Sequence, residues 1–211
     1  MYLPKYFEET KVEALHGLIH ACPFGTLITH AANGAEANHL PFELHPEPGP
    51  FGTLRGHVAR ANPVWREASP GADALIIFQG PAGYISPSWY PTKQQGGEVV
   101  PTWNYAVVHA RGPLHFIEDR NWLLGLVTRL TVRHEAGRAA PWHVSDAPAP
   151  FIEKLLGAIV GIEIPLRSLQ GKWKLSQNRP QADRQGVVEG LSALGDDAAR
   201  SLAMLVGDES Q

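Results

Sequence analysis

The chain has 211 residues, of which 44% are hydrophobic and 18% are charged, and its formal net charge is −3 at pH 7. This length favours one domain, and the composition allows a sizeable core and excludes wholesale disorder. Acidic and basic residues are interspersed, so the charge does not indicate nonspecific binding to nucleic acid or membranes. A single cysteine, Cys22, excludes an intrachain disulfide and a cysteine-based zinc site. No signal peptide or apolar run of about 20 residues is present, which predicts a cytoplasmic protein without membrane partners.

The first 60 residues predict a helix followed by an antiparallel meander. Apolar residues recur at helical spacing over 10–22, and Pro23 ends this helix. Asn33-Gly34 is a strong signal for a hairpin turn between two strands. The expected strands cover residues 24–30, 36–45 and 53–59.

The rest of the chain alternates strands with helices. Asn62-Pro63 opens a short helical turn, and Asp119 caps an amphipathic helix that runs to about His134. Further strands are expected over 74–78, 104–116 and 160–175, and further helices over 151–159 and, in two pieces, 181–206. This order favours a mainly β fold with flanking helices (α+β), built on a six-stranded antiparallel barrel, over a βαβ sheet.

The segment from Gly83 to Tyr105 is predicted to be a long binding loop. It holds three prolines, three tyrosines, two tryptophans and one cation, Lys93, with little helical or strand periodicity. Rings and a cation on a proline-stiffened loop suit a planar, partly anionic ligand such as a flavin nucleotide. The alternative is that the rings fill the end of a β core.

Four strings of the sequence carry a family resemblance: NHLPF at 38–42, GHVARANP at 56–63, VPTWNY at 100–105 and KWKLSQNR at 172–179. Together they resemble the PaiB family, described as FMN-binding negative transcriptional regulators. These proteins share the split-barrel flavin fold of the pyridoxamine-phosphate oxidases. The resemblance covers nearly the whole chain, from MYLPKYF to DRQGVVEGL. It implies a six-stranded antiparallel split β-barrel of the FMN-binding type and a homodimer with one FMN in each of two clefts between the subunits.

We expect the split barrel and its inserted helices to occupy residues 1–180, and residues 181–211 to form a helical appendage packed on the barrel or on the dimer partner. Two helices joined near Gly195 also invite a helix-turn-helix interpretation. A DNA-reading helix needs basic and amide side chains on its exposed face. Here four aspartates and glutamates oppose only two arginines, so charge does not support DNA binding, although the family resemblance does.

The phosphate of FMN needs cationic or N–H donors. Arg60 lies at the end of a predicted strand, just before Asn62 and a helical turn, so a guanidinium, an amide and free helix N–H groups come together. The resemblance implies that this turn grips the phosphate, which predicts Arg60 and Asn62 as FMN ligands. The alternative is that Arg60 is a solvated surface charge. The resemblance also places His39 and Leu40 on the strand along the flavin ring and phosphate; the oxidases use arginine and lysine near these points, whereas this chain has Asn38 and His39.

Other predicted FMN contacts lie on the next strand, in the long loop and near the C-terminus. His57, beside Val58, is expected either to bond the ribityl chain or to be a satisfied core histidine. The resemblance places Trp103 and Asn104 against the ring of the second subunit's flavin, and the alternative is an aromatic plug at the barrel mouth. The complete set in this part of the chain is His57, Val58, Lys93, Thr102, Trp103, Asn104, Lys174 and Gln177.

Three functions remain open from the sequence. The resemblance implies an FMN-binding protein in negative transcriptional regulation, without a classical DNA-reading helix. The second is an FMN-dependent oxidoreductase acting on a small planar substrate, for which no catalytic residue is identified. The third is a haem-handling protein that uses a histidine such as His109 or His143. No metal site is predicted, because His16 and His20, four residues apart, lack further ligands in a recognisable pattern.

Overall fold

The computed structural model describes residues 1–32, 34–68 and 71–208, and only the backbone of Gln95. These ranges contain ten strands and seven α-helices. The strands are β1 (Glu8–Glu9), β2 (Phe24–Ala31), β3 (Gly34–Pro41), β4 (Glu43–His45), β5 (Thr53–Ala59), β6 (Asp73–Ile85), β7 (Thr102–Pro113), β8 (His115–Ile117), β9 (Ile159–Pro165) and β10 (Ser168–Lys174). The helices are α1 (Val12–Ala21), α2 (Val64–Glu67), α3 (Lys93–Gly96), α4 (Arg120–Glu135), α5 (Ala149–Leu156), α6 (Gln181–Leu194) and α7 (Asp197–Asp208). None of the described helices is long and apolar enough to cross a membrane.

The strands form two sheets. One has six strands in the order β1-β10-β7-β6-β2-β3, and the other has four in the order β4-β5-β9-β8. Every pair whose register is described is antiparallel; Phe24 on β2, for example, lies opposite Pro41 on β3. The predicted mainly β fold of the split-barrel type, with flanking helices, is confirmed, and its strands lie in two sheets that do not close into one barrel.

Several predicted boundaries differ from the structure. The segment 36–45 is two strands interrupted at Phe42, and 160–175 is two strands, β9 and β10, with a break between them. The predicted turn at Asn33-Gly34 cannot be followed fully, because Asn33 lies outside the described residues, although β2 and β3 pair on both sides of it.

The predicted loop from Gly83 to Tyr105 is shorter and more ordered than its composition indicates. Strand β6 continues to Ile85, β7 begins at Thr102, and a short 3-10 helix (Pro87–Trp89) and α3 lie between them. Gly80 and Gly83 lie within β6. Their missing side chains let Leu18 and Leu202 pack on the strand, because an added Cβ would lie 2.9 Å from each of these leucines.

Contacts divide the chain into two compact units. The first unit comprises residues 1–21, 79–109 and 170–211, and the second comprises 22–78 and 110–169. In the second unit, Phe42 and Phe78 meet edge to face with their ring centroids 5.8 Å apart. The same unit contains α4, which begins where the Asp119 side chain accepts a 2.7 Å hydrogen bond from the backbone N–H of Trp122.

In the first unit, the terminal helices pack on the segment that follows β6. Gly186 and Gly190 lie one turn apart on α6 and face Trp89, so that a Cβ on Gly190 would lie 2.3 Å from the indole ring. Asp183, also on α6, is buried and accepts hydrogen bonds from the N–H (3.1 Å) and hydroxyl (2.7 Å) of Thr92. These contacts fix the segment that carries Trp89 and Tyr90 against α6.

This packing predicts that alanine at position 186 destabilises the protein. A Cβ there would lie 2.0 Å from the carbonyl oxygen of Trp89, and a backbone atom cannot move away cheaply. We expect Gly186→Ala to lower the free energy of unfolding in urea by about 1–3 kcal/mol, as overpacking does.

Gly207→Ala is the matched control, because it is also a helical glycine and a Cβ there would meet no atom within 4 Å. It should leave stability unchanged or raise it by up to about 1 kcal/mol. Equal unfolding midpoints for the two variants would contradict the proposed contact.

Candidate functional site

The predicted site residues fall into two groups, one in each unit. The first unit holds Lys93, Thr102, Trp103, Asn104, Lys174 and Gln177, and the second holds His39, Leu40, His57, Val58, Arg60 and Asn62. We describe each group within its own unit.

Three of the predicted residues in the first unit line one polar cavity of about 90 Å³. Thr102 and Asn104 come from β7, and Lys174 comes from the end of β10. The full lining is Tyr90, Val100, Thr102, Asn104, Lys174, Ser176, Asn178 and Arg179. The cavity therefore combines residues from β7, from the segment before it and from the turn after β10.

Lys174 is held at this cavity by the start of β7. Its Nζ donates a hydrogen bond to the Thr102 hydroxyl and another, of 2.7 Å, to the Trp103 carbonyl oxygen. Burial lowers the pKa of Lys174, and the positive charges of Lys172 and Arg179 lower it further. The ammonium group thus lies in a local excess of positive charge.

Lys172, Lys174 and Arg179 form what we call the cation cluster. Lys172 is 8% exposed; its Nζ donates to the Tyr2 carbonyl oxygen at 3.0 Å and lies 5.5 Å from the ring centroids of Tyr2 and Tyr105. The Arg179 guanidinium carbon lies 5.1 Å from the centroid of the Tyr90 ring. Within the described part of the chain, no acidic side chain forms a salt bridge with any of the three.

A buried amide and a strained serine fix the turn after β10. The Asn104 amide nitrogen donates to the Ser176 hydroxyl at 2.9 Å, and both residues are buried. Ser176 has a φ of 66°, in the left-handed region that residues other than glycine rarely adopt. Such strain is found disproportionately at ligand-binding sites. Gln177 does not line the cavity; its amide bridges Leu175 N–H (2.7 Å) and Trp173 C=O (2.6 Å) and so closes the turn.

A groove of about 380 Å³ with aromatic lining lies on β6 and β7. It is lined by Gln79, Ala82, Trp103, Tyr105 and Val107. Trp103 is 58% exposed and meets Tyr84 edge to face, with centroids 6.4 Å apart. Lys93 lines neither the polar cavity nor this groove and is exposed on α3.

In the second unit, Arg60 is engaged within the chain. Its Nε donates to the Gly157 carbonyl oxygen at 2.8 Å, and its two terminal nitrogens donate to the Ile159 carbonyl oxygen at 3.2 Å and the Glu118 carboxylate at 2.5 Å. Asn62 donates to the Asn38 side chain at 2.6 Å and accepts from the N–H of Val64 at 3.0 Å. The guanidinium thus already has three oxygen partners.

The cavity beside Asn62 measures about 280 Å³ and is lined partly by two glutamates, Glu36 and Glu67. A phosphate placed there would meet negative charge, which weakens its binding. The geometry therefore favours the cation cluster over the Arg60 turn as the position of an anion, and the role of Arg60 and Asn62 stays a prediction.

The other residues of the second unit are not gathered at that cavity. His39 stacks on Phe24, with ring centroids 6.4 Å apart, while the side chains of Leu40 and Val58 are buried in the core. His57 lines a separate apolar cavity, where its Nδ1 is buried and has no hydrogen-bond partner among the described residues. Burial lowers the pKa of His57, which favours a neutral ring.

Five residues that line the polar cavity are outside the predicted set of FMN ligands: Tyr90, Val100, Ser176, Asn178 and Arg179. Ser176 and Arg179 lie inside the string KLSQNR that carries the family resemblance, so their position was the available signal. The left-handed backbone of Ser176 leaves no mark in the sequence, because serine is not a residue that favours this conformation.

The donor set of the first unit fits an anionic, aromatic ligand such as FMN. Lys174, Arg179, two aliphatic hydroxyls and two amides line the polar cavity and supply positive charge and donors for a phosphate, and no acidic side chain in the described chain forms a salt bridge with the cation cluster. Exposed aromatic surface on β6 and β7 suits a planar ring.

Comparison with known proteins identifies the family of the chain. The family model described as "Putative FMN-binding domain" matches residues 1–168. The "Protease synthase and sporulation protein PAI 2" of Bacillus subtilis is 34% identical over 209 residues, which cover 99% of this chain and 98% of that protein. An uncharacterized protein of Emericella nidulans is 34% identical over 246 residues, with 100% of this chain and 98% of that protein covered.

Solved structures share the fold at low sequence identity. The FAD and haem binding protein from Mycobacterium smegmatis aligns with a TM-score of 0.59 and 18% identity, over 79% of this chain and 73% of that chain. The flavocytochrome Anf3 from Azotobacter vinelandii gives a TM-score of 0.59 and 13% identity, over 82% and 72% of the two chains. The match of the family model over most of the chain and the full-length relatives show that this protein belongs to the FMN-binding domain family, with FMN as its cofactor.

Proposed function

We propose that this protein is a cytoplasmic FMN-binding homodimer that acts in negative regulation of gene expression, with the phosphate end of FMN bound at the cation cluster. The observation that carries the proposal is the cation cluster: its members have no salt-bridge partner in the described chain, Lys174 and Arg179 line the polar cavity, and the charge of Lys172 acts on Lys174. A doubly charged phosphate compensates these cations better than any group present in the chain.

The cavity supplies the directional donors that a phosphate requires. Lys174 and Arg179 provide charged N–H donors, and Thr102 and Ser176 provide hydroxyls. A phosphate near Lys174 would offset the repulsion from Lys172 and Arg179 that lowers its pKa. The strained backbone at Ser176 holds its hydroxyl, bonded to Asn104, at the cavity wall.

The ring of FMN needs a flat apolar surface, which Trp103 and Tyr105 offer in the aromatic groove. Because their side chains alternate along β7 with those of Thr102 and Asn104, the groove and the polar cavity lie on opposite faces of this strand and would contact different flavins of the homodimer. FMN supplies the ability to accept and donate electrons, while the protein supplies binding and orientation. The exposure of Trp103, at 58%, is unusual for a tryptophan and supports contact with a ligand or a second copy of the chain at this surface. The homodimer implied by the family resemblance would cover it.

The regulatory role rests on sequence similarity to other proteins. The Bacillus subtilis relative is named a protease synthase and sporulation protein, and the resemblance is to a family of negative transcriptional regulators. The helices α6 and α7 give little support to direct DNA reading. Their apolar faces are buried, and their ends carry Asp196 and Asp197. Regulation would then act through flavin binding or through another protein, without base contacts from this helix pair.

An FMN-dependent oxidoreductase is the second candidate. The aromatic groove of β6 and β7, about 380 Å³ in volume, leaves room for a small planar substrate near Trp103 and the neighbouring Tyr84. The two proposals differ in what the FMN-loaded protein does with a reductant. Anaerobic and aerobic oxidation of NADH and NADPH, followed by absorbance, measures the enzyme, and retardation of promoter DNA over a salt series measures direct repression.

Turnover without DNA binding would favour the oxidoreductase. A change in transcription of target genes on deleting the protein, without turnover, would favour the regulator. A null effect on transcription together with no turnover would contradict both.

The proposed phosphate site predicts selective loss of FMN affinity. Arg179→Gln and Lys174→Gln each remove a charged donor, and we expect about a tenfold or greater increase in the dissociation constant of FMN for each. Quenching of flavin fluorescence on titration with apoprotein gives these constants. Inorganic phosphate should compete with FMN at the native site and compete less in the variants.

Two control variants accompany this experiment. Lys154→Gln removes an exposed cation on α5 and should bind FMN like the native chain. Arg60→Gln tests the alternative phosphate site of the second unit. If Arg60→Gln loses FMN while Arg179→Gln and Lys174→Gln retain it, the phosphate lies at the Arg60 turn instead.

The lowered pKa of Lys174 predicts a pH dependence. A bound phosphate would raise this pKa again, so FMN binding takes up a proton at pH values between the pKa of Lys174 in the free protein and its pKa in the complex. Affinity for FMN should therefore fall as pH rises through a value below that of an ordinary lysine. The free protein should gain stability over the same range, because the unfolded chain still binds the proton there.

Lys174→Arg keeps the positive charge to much higher pH. Its FMN affinity should persist across the range in which the native affinity falls, while any titration of the flavin itself is common to both proteins. Parallel pH profiles for the two proteins would exclude Lys174 as the titrating group.

A further inference from the structure

A second, apolar cavity lies within the second unit and is separate from the residues proposed to hold FMN. It measures about 290 Å³ and is lined by residues of β5, α4, the segment before α5, α5 itself and the start of β9. Val127, Val144, Ile152, Leu156 and Ile159 represent its aliphatic lining. A larger cavity of about 560 Å³ shares three of its lining residues, Thr131, Val144 and Ile152, and therefore adjoins it.

One imidazole interrupts the apolar lining. His57 lies on β5 between Gly56 and Val58, both of which are buried. Its Nδ1 is buried without a hydrogen-bond partner among the described residues, whereas Nε2 is not buried. The side chain is partly exposed and lines the cavity. Nε2 is therefore the polar atom that His57 offers to a molecule in this space.

The tautomer of His57 follows from the cost of an unpaired group. A buried N–H without an acceptor is rarer in proteins than an under-satisfied acceptor. The neutral ring, which burial favours by lowering the pKa, thus places its proton on Nε2 and leaves Nδ1 as the unpaired acceptor. The cavity then presents the Nε2–H group of His57 as a donor, and the Thr131 hydroxyl and the Trp142 indole are the other polar groups in an otherwise aliphatic lining.

The lining also defines the ligand's charge. No lysine, arginine, aspartate or glutamate lines the 290 Å³ cavity, so a charged ligand would lose hydration without gaining an ion pair. We propose that this cavity binds an uncharged, largely apolar small molecule with a carbonyl-type oxygen that accepts a hydrogen bond from His57 Nε2–H. The volume is near the lower end for small-molecule sites, which indicates a compact ligand.

Exposed apolar side chains surround this space, among them Trp142, Phe151 and Leu155. They would also suit a protein partner. A partner surface would cover these side chains. It would not require the His57 donor, which lies on β5 in a cavity lined by α4 and α5. The unpaired Nε2–H favours the small molecule, and the experiment separates the two occupants.

Nile red is a suitable probe, because it is uncharged, carries one ketone oxygen and fluoresces strongly in apolar surroundings. We expect the full-length, FMN-loaded protein to bind it saturably at one site per chain, with excitation beyond the flavin absorption. Val144 lines both cavities, so the larger side chain of Val144→Trp reduces the space in each and should weaken binding by about tenfold or more. Leu194→Trp adds the same side chain at an exposed position of α6 and should leave binding unchanged.

A pair of competitors tests the hydrogen bond. Benzophenone and diphenylmethane have nearly the same shape, but only benzophenone carries an acceptor oxygen. In the native protein, benzophenone should displace Nile red at least about fivefold more effectively than diphenylmethane, which is the effect of one net hydrogen bond. His57→Phe keeps an aromatic ring and removes the donor, so it should abolish this difference.

Several outcomes would overturn the proposal. These are no saturable binding of Nile red, equal binding by the native protein and Val144→Trp, or equal competition by the two diaryl compounds in the native protein. Dissociation of an oligomer by Val144→Trp would instead assign this face to a protein contact. Loss of FMN from His57→Phe would return His57 to the flavin site, as the sequence predicts.

Discussion

Close packing of aromatic rings on glycine backbone is the constraint on which both units depend. In the first unit, the indole of Trp89 lies on α6, where a Cβ at Gly190 would be 2.3 Å from the ring. In the second unit, Trp122 of α4 lies on β9, where a Cβ at Gly161 would be 2.4 Å from its ring. Neither helix could lie so close to its neighbour if these positions carried side chains.

These two contacts also position the cavities. Trp89 precedes Tyr90, which lines the polar cavity with Arg179, and Asp183 on α6 anchors Thr92 on the other side of the same segment. Trp122 begins the helix that carries Val127 and Thr131 to the apolar cavity. Packing of two tryptophans that line neither cavity thus decides where the cavity-lining side chains lie.

Much of the fold follows from local sequence signals. Strand β5 matches its predicted bounds, and Asp119 caps α4 as its position predicts, because both depend on local periodicity and a single capping side chain. The extent of β6 could not be predicted, because Gly80, Pro81 and Gly83 normally end a strand. They continue it here since distant leucines fill the missing space. Local sequence does not report such distant partners.

The candidate site was predictable in part for a related reason. Thr102, Asn104 and Lys174 were identified from family strings, and they line a common cavity although they are 70 residues or more apart in two of the three pairings. The engagement of Arg60 by the carbonyl groups of Gly157 and Ile159 could not be foreseen, because those acceptors lie almost 100 residues away and belong to the backbone. Side-chain identity gives no information on which carbonyl oxygens face an arginine.

The position of the cation cluster has a consequence for how relatives diverge. The family model ends at residue 168, whereas Lys172, Lys174 and Arg179 all follow it. A protein can therefore keep the shared domain and still exchange the residues of this turn. If the turn binds the phosphate, substitutions there would change which nucleotide form is held, such as riboflavin, FMN or a larger dinucleotide, while the domain remains recognisable. The residues after 168 would then determine which flavin derivative such a protein binds.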